Sequence, residues 1–197
     1  MNETSDAARK KWDKIYNEWN GEQGAPARVV EENLHLLPRS GKGLELACGL
    51  ANNSFALAAQ GIAMEAWDIS HVAAERVNQR ATQTAAEVTA YARDVVINPP
   101  AADEYDVIVI SHFLDRTLVP AIINSLKPGG LLFYQTFTQT RVADSGPKTN
   151  DWRLADGELL TLFAALKPLV YREEGLTGET NTGLRNEALL VAQKVGR

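Results

Sequence analysis

The segment Asp106 to Ile110, DVIVI, constrains the fold more than any other stretch of the 197-residue chain. After its acid it is β-branched throughout, with no polar residue on either face. Such a strand belongs in a parallel sheet covered by helices on both sides. The rest of the middle agrees. Gly43 to Ala47 reads as a strand, Asn53 to Gln60 as a helix closed by Gly61, and Ala63 to Trp67 as a strand ending at Asp68. Ser70 is a candidate N-cap for a helix to about Thr84, followed by a strand over Val88 to Ala92. After DVIVI, a helix over Leu118 to Leu126 stops at KPGG, and Leu131 to Thr136 is a fifth strand. Strands separated by helices predict a parallel sheet wound by right-handed crossovers.

The two ends read differently. Asp6 to Trp19 has helical spacing, with Trp12, Ile15, Tyr16 and Trp19 on one face. That stripe reads as core, with Tyr16 also a candidate lid over a ligand. NGEQGAP breaks the helix, and Arg28 to Leu37 reads as a second helix stopped by Pro38. Near the C-terminus, Gly157 to Ala165 is helical. Leu169 to Glu173 and Ala188 to Gln193 then form an antiparallel hairpin at the sheet edge. Thr138 to Asp151 is too polar to pack and long enough to be a functional lid.

Composition excludes several function classes. A net charge of -5 without a basic stripe disfavours nucleic acid as a partner. No apolar run is long enough to span a membrane, and the N-terminus lacks an apolar signal core. A single cysteine, Cys48, permits no intrachain disulfide and points to a reducing, cytoplasmic setting. The three histidines lack metal-ligand spacing, so no metal is expected.

In an open parallel sheet a ligand sits beyond the carboxyl ends of the strands. Gly49 follows the first strand, where backbone can pass close to a ligand. Asp68 ends the second strand, where an acid can accept from both ribose hydroxyls. Asp94 follows the third and can accept from an adenine amine, with Ile69 and Val95 as apolar faces for the ring. Ser111 and His112 end the fourth. Any one of these also has a bland reading, as a turn or a helix cap; together they predict a nucleoside cofactor. Glu45 at the strand end would repel a pyrophosphate, which argues against a dinucleotide. It suits a cofactor with a positive amino-acid tail, such as S-adenosylmethionine.

The motif set, in order, resembles that of the class I S-adenosylmethionine-dependent methyltransferases over nearly the whole chain. GLELACGLANNSFALAAQG is similar to the family's first motif, WDIS to the second, ARDV to the third, YDVIVISHF to the fourth and LKPGGLLFYQTF to the fifth. WDKIYNEW resembles the N-terminal helix of small-molecule members. FYQTF and GPKTNDWRLADGELL resemble a small bacterial tellurite-resistance-like subgroup.

The resemblance implies a single domain over residues 1–197 with a Rossmann-like α/β three-layer sandwich. Its seven-stranded sheet is mostly parallel, with the last strand antiparallel. Helices in 1–38 cover the cofactor, 43–136 form the cofactor-binding core, and 137–197 hold a substrate-side loop and hairpin. The implied cofactor is S-adenosyl-L-methionine, with S-adenosyl-L-homocysteine as product and a small molecule as acceptor. Tyr16, Glu45, Ala47, Cys48, Gly49, Asn53, Asp68, Ile69, Asp94, Val95 and Ser111 are the implied cofactor residues.

Several readings stay open. Ala47 and Ala51 replace glycines usual in the family; Ala47 is tolerable if its backbone is ordinary, and a positive φ at Ala51 costs about 1 kcal/mol or more. His112 either closes a strand or acts as a general base. Lys148, Trp152 and Arg153 either line a pocket for an anionic acceptor or belong to a solvated loop. Cys48 reads as a buried thiol, since no base is paired with it. INPPA is out of place for an amine-methyltransferase motif and reads as a rigid turn. A cofactor-binding protein without catalysis is the alternative function, and an NAD(P)-dependent oxidoreductase a third.

Overall fold

The structure is a computed structural model describing residues 3–21 and 24–196. Glu22 and Gln23, inside the expected NGEQGAP turn, lie outside the described residues. Seven strands form one sheet: β1 (Gly41–Leu46), β2 (Ile62–Asp68), β3 (Val88–Ala92), β4 (Tyr105–Ser111), β5 (Leu126–Phe137), β6 (Lys167–Glu173) and β7 (Glu187–Gln193). Their spatial order is β3-β2-β1-β4-β5-β7-β6. The pairings among β1 to β5 are parallel, and β7 runs antiparallel to both β5 and β6.

The β-branched run explains the layering. Side chains alternate across a strand, so Ile108 and Ile110 enter one core while Val107 and Val109 enter the other. All four are fully buried. The remaining helices are α1 (Glu3–Glu18), α2 (Arg28–Glu31), α3 (Asn52–Ala58), α4 (His71–Thr84), α5 (Val119–Ser125) and α6 (Glu158–Leu162). Ser70 caps α4 as expected, its hydroxyl accepting the Ala73 N–H. Among the described residues, no helix is long and apolar enough to cross a membrane.

Four expectations are corrected. First, β5 begins at Leu126 rather than Leu131, because KPGG is absorbed as an irregularity in the β4–β5 register. Second, the helix expected to Leu37 is only α2 plus a 3-10 turn at Leu34–Leu36. There the Asn33 side chain donates to the Val29 carbonyl, competing with the helical ladder. Third, the aromatic stripe of α1 is not core. Trp12, Ile15 and Trp19 stay exposed and only Tyr16 is half-buried, because α1 lies against α4 rather than on the sheet. Asp13 accepts from the Ser70 hydroxyl, and Ser5 donates to Asp94, tying α1 to the tips of β2 and β3.

The fourth concerns the polar loop. Its base is packed: Thr138 is buried and bridges Leu154. Arg153 is fully buried, and its guanidinium donates to the carbonyls of Thr138, Pro147 and Ser145. The loop satisfies its own backbone around one cation, which is how polar chain can pack. Replacing Arg153 with Met should therefore lower stability by about 2–4 kcal/mol. Lys should not rescue it, since a single ammonium cannot span three carbonyls. Urea unfolding of both variants is the check, with wild-type stability of Arg153→Lys as the contrary result.

Candidate functional site

A cavity of about 760 Å³ opens at the carboxyl ends of β1 to β5 and is flanked by α1. Its volume is that of a site for a cofactor-sized molecule. Residues from all the expected strand tips border it: Glu45, Ala47, Cys48, Gly49, Asn53, Asp68, Ile69, Asp94, Val95, Ser111 and His112. Tyr16 borders it from α1. Of the three loop residues proposed for an acceptor, only Trp152 does. The Lys148 side chain is 77% exposed and pairs with Asp144, and Arg153 is spent on its carbonyls. The structure does not bring these two cations to the cavity.

The loop after β1 is shaped by a run of left-handed residues. Ala47 has φ 51°, Gly49 φ 54° and Ala51 φ 55°. Both alanines thus hold the conformation that glycine adopts without cost. A side chain at Gly49 would meet the Tyr16 hydroxyl at 2.7 Å, so glycine there lets Tyr16 of α1 lie against the loop without being displaced.

Two acids hold the loop in place. Glu45 is buried; its Oε1 accepts from the Asn53 amide at 2.7 Å, and its Oε2 accepts from the Ser54 N–H and hydroxyl. Burial pushes its pKa up to about 7, against the pull of those donors. Asn53 also accepts the Ala27 N–H and donates to Ser111 Oγ, so one amide joins three chain segments. Asp68 accepts the Gly49 N–H at 2.8 Å and the Ser70 N–H at 2.9 Å. Burial raises its pKa too. Asp94 accepts from the N–H groups of Val96 and Ile97. Cys48 is a buried thiol whose pKa burial raises well above its usual value, which suits packing rather than nucleophilic chemistry.

The charge pattern bears on what fits. Glu45, Asp68 and Asp94 border the cavity, with two arginines. Arg28 pairs with Glu32 and the Gly183 carbonyl. Arg93 stacks on Trp67 and donates to the carbonyls of Asn98 and Pro99. Both arginines are committed to protein groups, which leaves no free guanidinium among the named lining residues for a pyrophosphate.

At the far side, His112 sits at the tip of β4 with φ 55°, its ring tilted on Phe137 at 5.0 Å. Gln135 and Glu187 also border the cavity here. Neither was singled out from the sequence. Glu187 begins β7, and only the insertion of β7 beside β5 brings it opposite Phe137. Gln135 stands in the FYQTF motif, two residues before the end of β5; that position was the available signal.

The comparisons agree with this geometry. A family model for the methyltransferase domain matches residues 18–168, and the chain belongs to that family. Similar solved structures include geranyl diphosphate C-methyltransferase from Streptomyces coelicolor A3(2), crystallised with Mg2+, geranyl diphosphate and S-adenosyl-L-homocysteine. It has a TM-score of 0.73 at 13% identity, covering 99% of each chain. TehB from Haemophilus influenzae gives a TM-score of 0.65 at 24% identity over 94% of this chain and 66% of that one. The [4+2]-cyclase SpnF gives 0.72 at 15% identity over 98% and 97%. At these identities the likeness establishes the fold. No curated protein sequence matches the chain.

Two predictions follow from the loop. Ala47→Gly should hold or raise stability by about 0.5 kcal/mol, while Ala47→Val should cost more than about 1 kcal/mol, because a β-branched residue is worst at positive φ. Equal stability of the two variants in urea unfolding would contradict the left-handed geometry. The second concerns Glu45. Its unfolded pKa is near 4.5 and its folded value about 7. Between these the native state holds a proton that the unfolded state has released. The group's contribution is thus most favourable below the lower value and is lost as pH rises through the upper. Glu45→Gln cannot ionise, so its stability relative to wild type should grow from about pH 5 to pH 8, by on the order of 3 kcal/mol. Parallel stability–pH curves would be the contrary outcome.

Proposed function

We propose that the protein is an S-adenosylmethionine-dependent methyltransferase that moves a methyl group to a small-molecule acceptor by direct in-line transfer. The observation that carries this is the cavity itself. It joins the left-handed Ala47–Ala51 loop and the acids Glu45, Asp68 and Asp94, and its two arginines are committed elsewhere. When bound, S-adenosylmethionine would supply a sulfonium methyl group open to attack by a nucleophile, with the thioether S-adenosylhomocysteine as leaving group. Acids around a cationic cofactor fit; they do not fit a dinucleotide's pyrophosphate. Neighbours crystallised with S-adenosyl-L-homocysteine or with sinefungin support the same cofactor.

The residue roles are part of the proposal. Asp68 holds the ribose with the lone pairs not used by Gly49 and Ser70. Asp94 and Val95 receive the adenine, with Ile69 on its other face. Tyr16 and α1 close over the methionine portion and exclude water, which strengthens every charge interaction inside. His112 takes the acceptor's proton. A structural neighbour crystallised with geranyl diphosphate supports a small acceptor over nucleic acid, as does the net charge of -5. Location in the cytoplasm and kinship with the tellurite-resistance-like subgroup belong to this reading as well, with TehB among the structural neighbours.

A second reading is a cofactor-binding protein without methyl transfer. SpnF supports it, being a cyclase on the same fold. Methyl-labelled S-adenosylmethionine incubated with a small-molecule extract separates the two. Label should appear in the small-molecule fraction, and His112→Ala should slow its transfer about 100-fold or more. Tight cofactor binding with no label moved would favour the second reading. Full activity of His112→Ala would remove the base role.

A further inference from the structure

Gln135, Glu187 and His112 form a hydrogen-bonded chain along the cavity wall opposite the cofactor loop. Gln135 is buried, and its Oε1 accepts the Val29 backbone N–H at 2.7 Å. Its amide nitrogen donates to Glu187 Oε2 at 2.5 Å. Glu187 Oε1 lies 3.1 Å from His112 Nε2.

The direction of this chain is set at its first link. A backbone N–H can only donate, so the Gln135 atom facing Val29 is the carbonyl oxygen. The Gln135 amide nitrogen must then face Glu187. An ionised carboxylate can only accept, so the nitrogen of His112 that faces it carries the proton. In a neutral imidazole the other nitrogen, Nδ1, is then an acceptor. Among the described residues Nδ1 has no protein hydrogen-bond partner, and the His112 side chain is 46% exposed. Backbone geometry supports the same aim. His112 has a φ of 55°, its N–H donates to the backbone carbonyl of Gln135 at 2.9 Å, and its side chain borders the cavity. Strained residues of this kind persist where the surroundings over-determine them and cluster at functional sites.

We propose that Glu187 is the positioning residue of the transfer site: with Gln135 it holds neutral His112 as the Nε2–H tautomer, leaving Nδ1 to receive the acceptor's proton. This rests on the reading of His112 as the base. In the step, the acceptor atom forms a bond to the methyl carbon as the carbon–sulfur bond breaks, its electron pair staying on sulfur. The acceptor's proton passes to Nδ1. His112 becomes an imidazolium paired with Glu187 and later releases the proton to solvent. The arrangement serves an acceptor whose nucleophilic atom arrives protonated, such as a hydroxyl or an amine. Burial works to raise the Glu187 pKa, but the hydrogen bonds to His112 and Gln135, and the charge that His112 gains once it takes the proton, outweigh it and hold the carboxyl below its usual range.

The test needs neither cofactor nor acceptor. Long-range 15N–1H spectra of the full, uniformly labelled chain report the tautomer of each neutral imidazole. His35 and His71 serve as internal references, and His112→Gln assigns the third signal. Wild type should show Nδ1 unprotonated. In Glu187→Gln, the Gln135 amide keeps the new side chain's oxygen, so its NH2 turns to Nε2 and forces the opposite, Nδ1–H tautomer. A wild-type His112 with Nδ1–H, or with the tautomer mixture of a free imidazole, would overturn the proposal. So would a folded Glu187→Gln with an unchanged tautomer. The wild-type spectrum decides even if the variant fails to fold. Because no ligand is involved, failure here leaves the cofactor reading standing, and failure of cofactor binding leaves this result intact.

Discussion

The site depends on one buried carboxylate. Glu45, one residue before the end of β1, lies in a place without solvent, where an unpaired charge would cost several kcal/mol. Three donors from the start of α3 meet it, and the loop between must therefore turn tightly. Asn53, once fixed there, has two further atoms' worth of hydrogen bonding. It spends them on the Ala27 backbone and the Ser111 hydroxyl. A polar group that the core would otherwise reject thus fastens together β1, β4 and the segment leading into α2.

The tight turn has a cost in backbone strain. Ala47 and His112 are non-glycine residues in the left-handed region that border the cavity, and Ala51, fully buried in the same loop as Ala47, is a third. Each such residue costs on the order of 1 kcal/mol or more. The structure holds them with long-range bonds: Asp68 to Gly49, Gln135 to the His112 amide, Glu45 to Ser54. The two sides of the cavity are held differently: buried carboxylates fix the loop after β1, and the backbone carbonyl of Gln135 accepts the His112 N–H at the tip of β4.

Much of the fold was legible in the sequence. DVIVI demanded burial on two faces, and the alternating strands and helices demanded a parallel sheet; both are as observed. The acids at the tips of β2 and β3 were legible because their placement follows from strand ends alone. What lay hidden depended on long-range placement. Glu187 falls just before the strand expected over Ala188 to Gln193, and only the insertion of β7 between β5 and β6 brings it to the cavity. Arg153 reads as a surface cation, since the carbonyls that cage it come from backbone, which leaves no mark in a sequence. The α1 stripe reads as core because periodicity reveals a face but not what that face meets. Positive φ was an open question at Ala51, and an ordinary backbone was the condition set for Ala47; at φ 51° Ala47 does not meet it.

The central claim is that this acidic cavity holds S-adenosylmethionine, and calorimetric titration of the purified full chain tests it most directly. S-adenosylmethionine and S-adenosyl-L-homocysteine should bind at micromolar affinity, worth roughly 8 kcal/mol, with NAD giving no heat and Asp68→Ala abolishing binding. A folded, ligand-free sample that binds neither sulfur compound, or that binds NAD instead, would contradict the account.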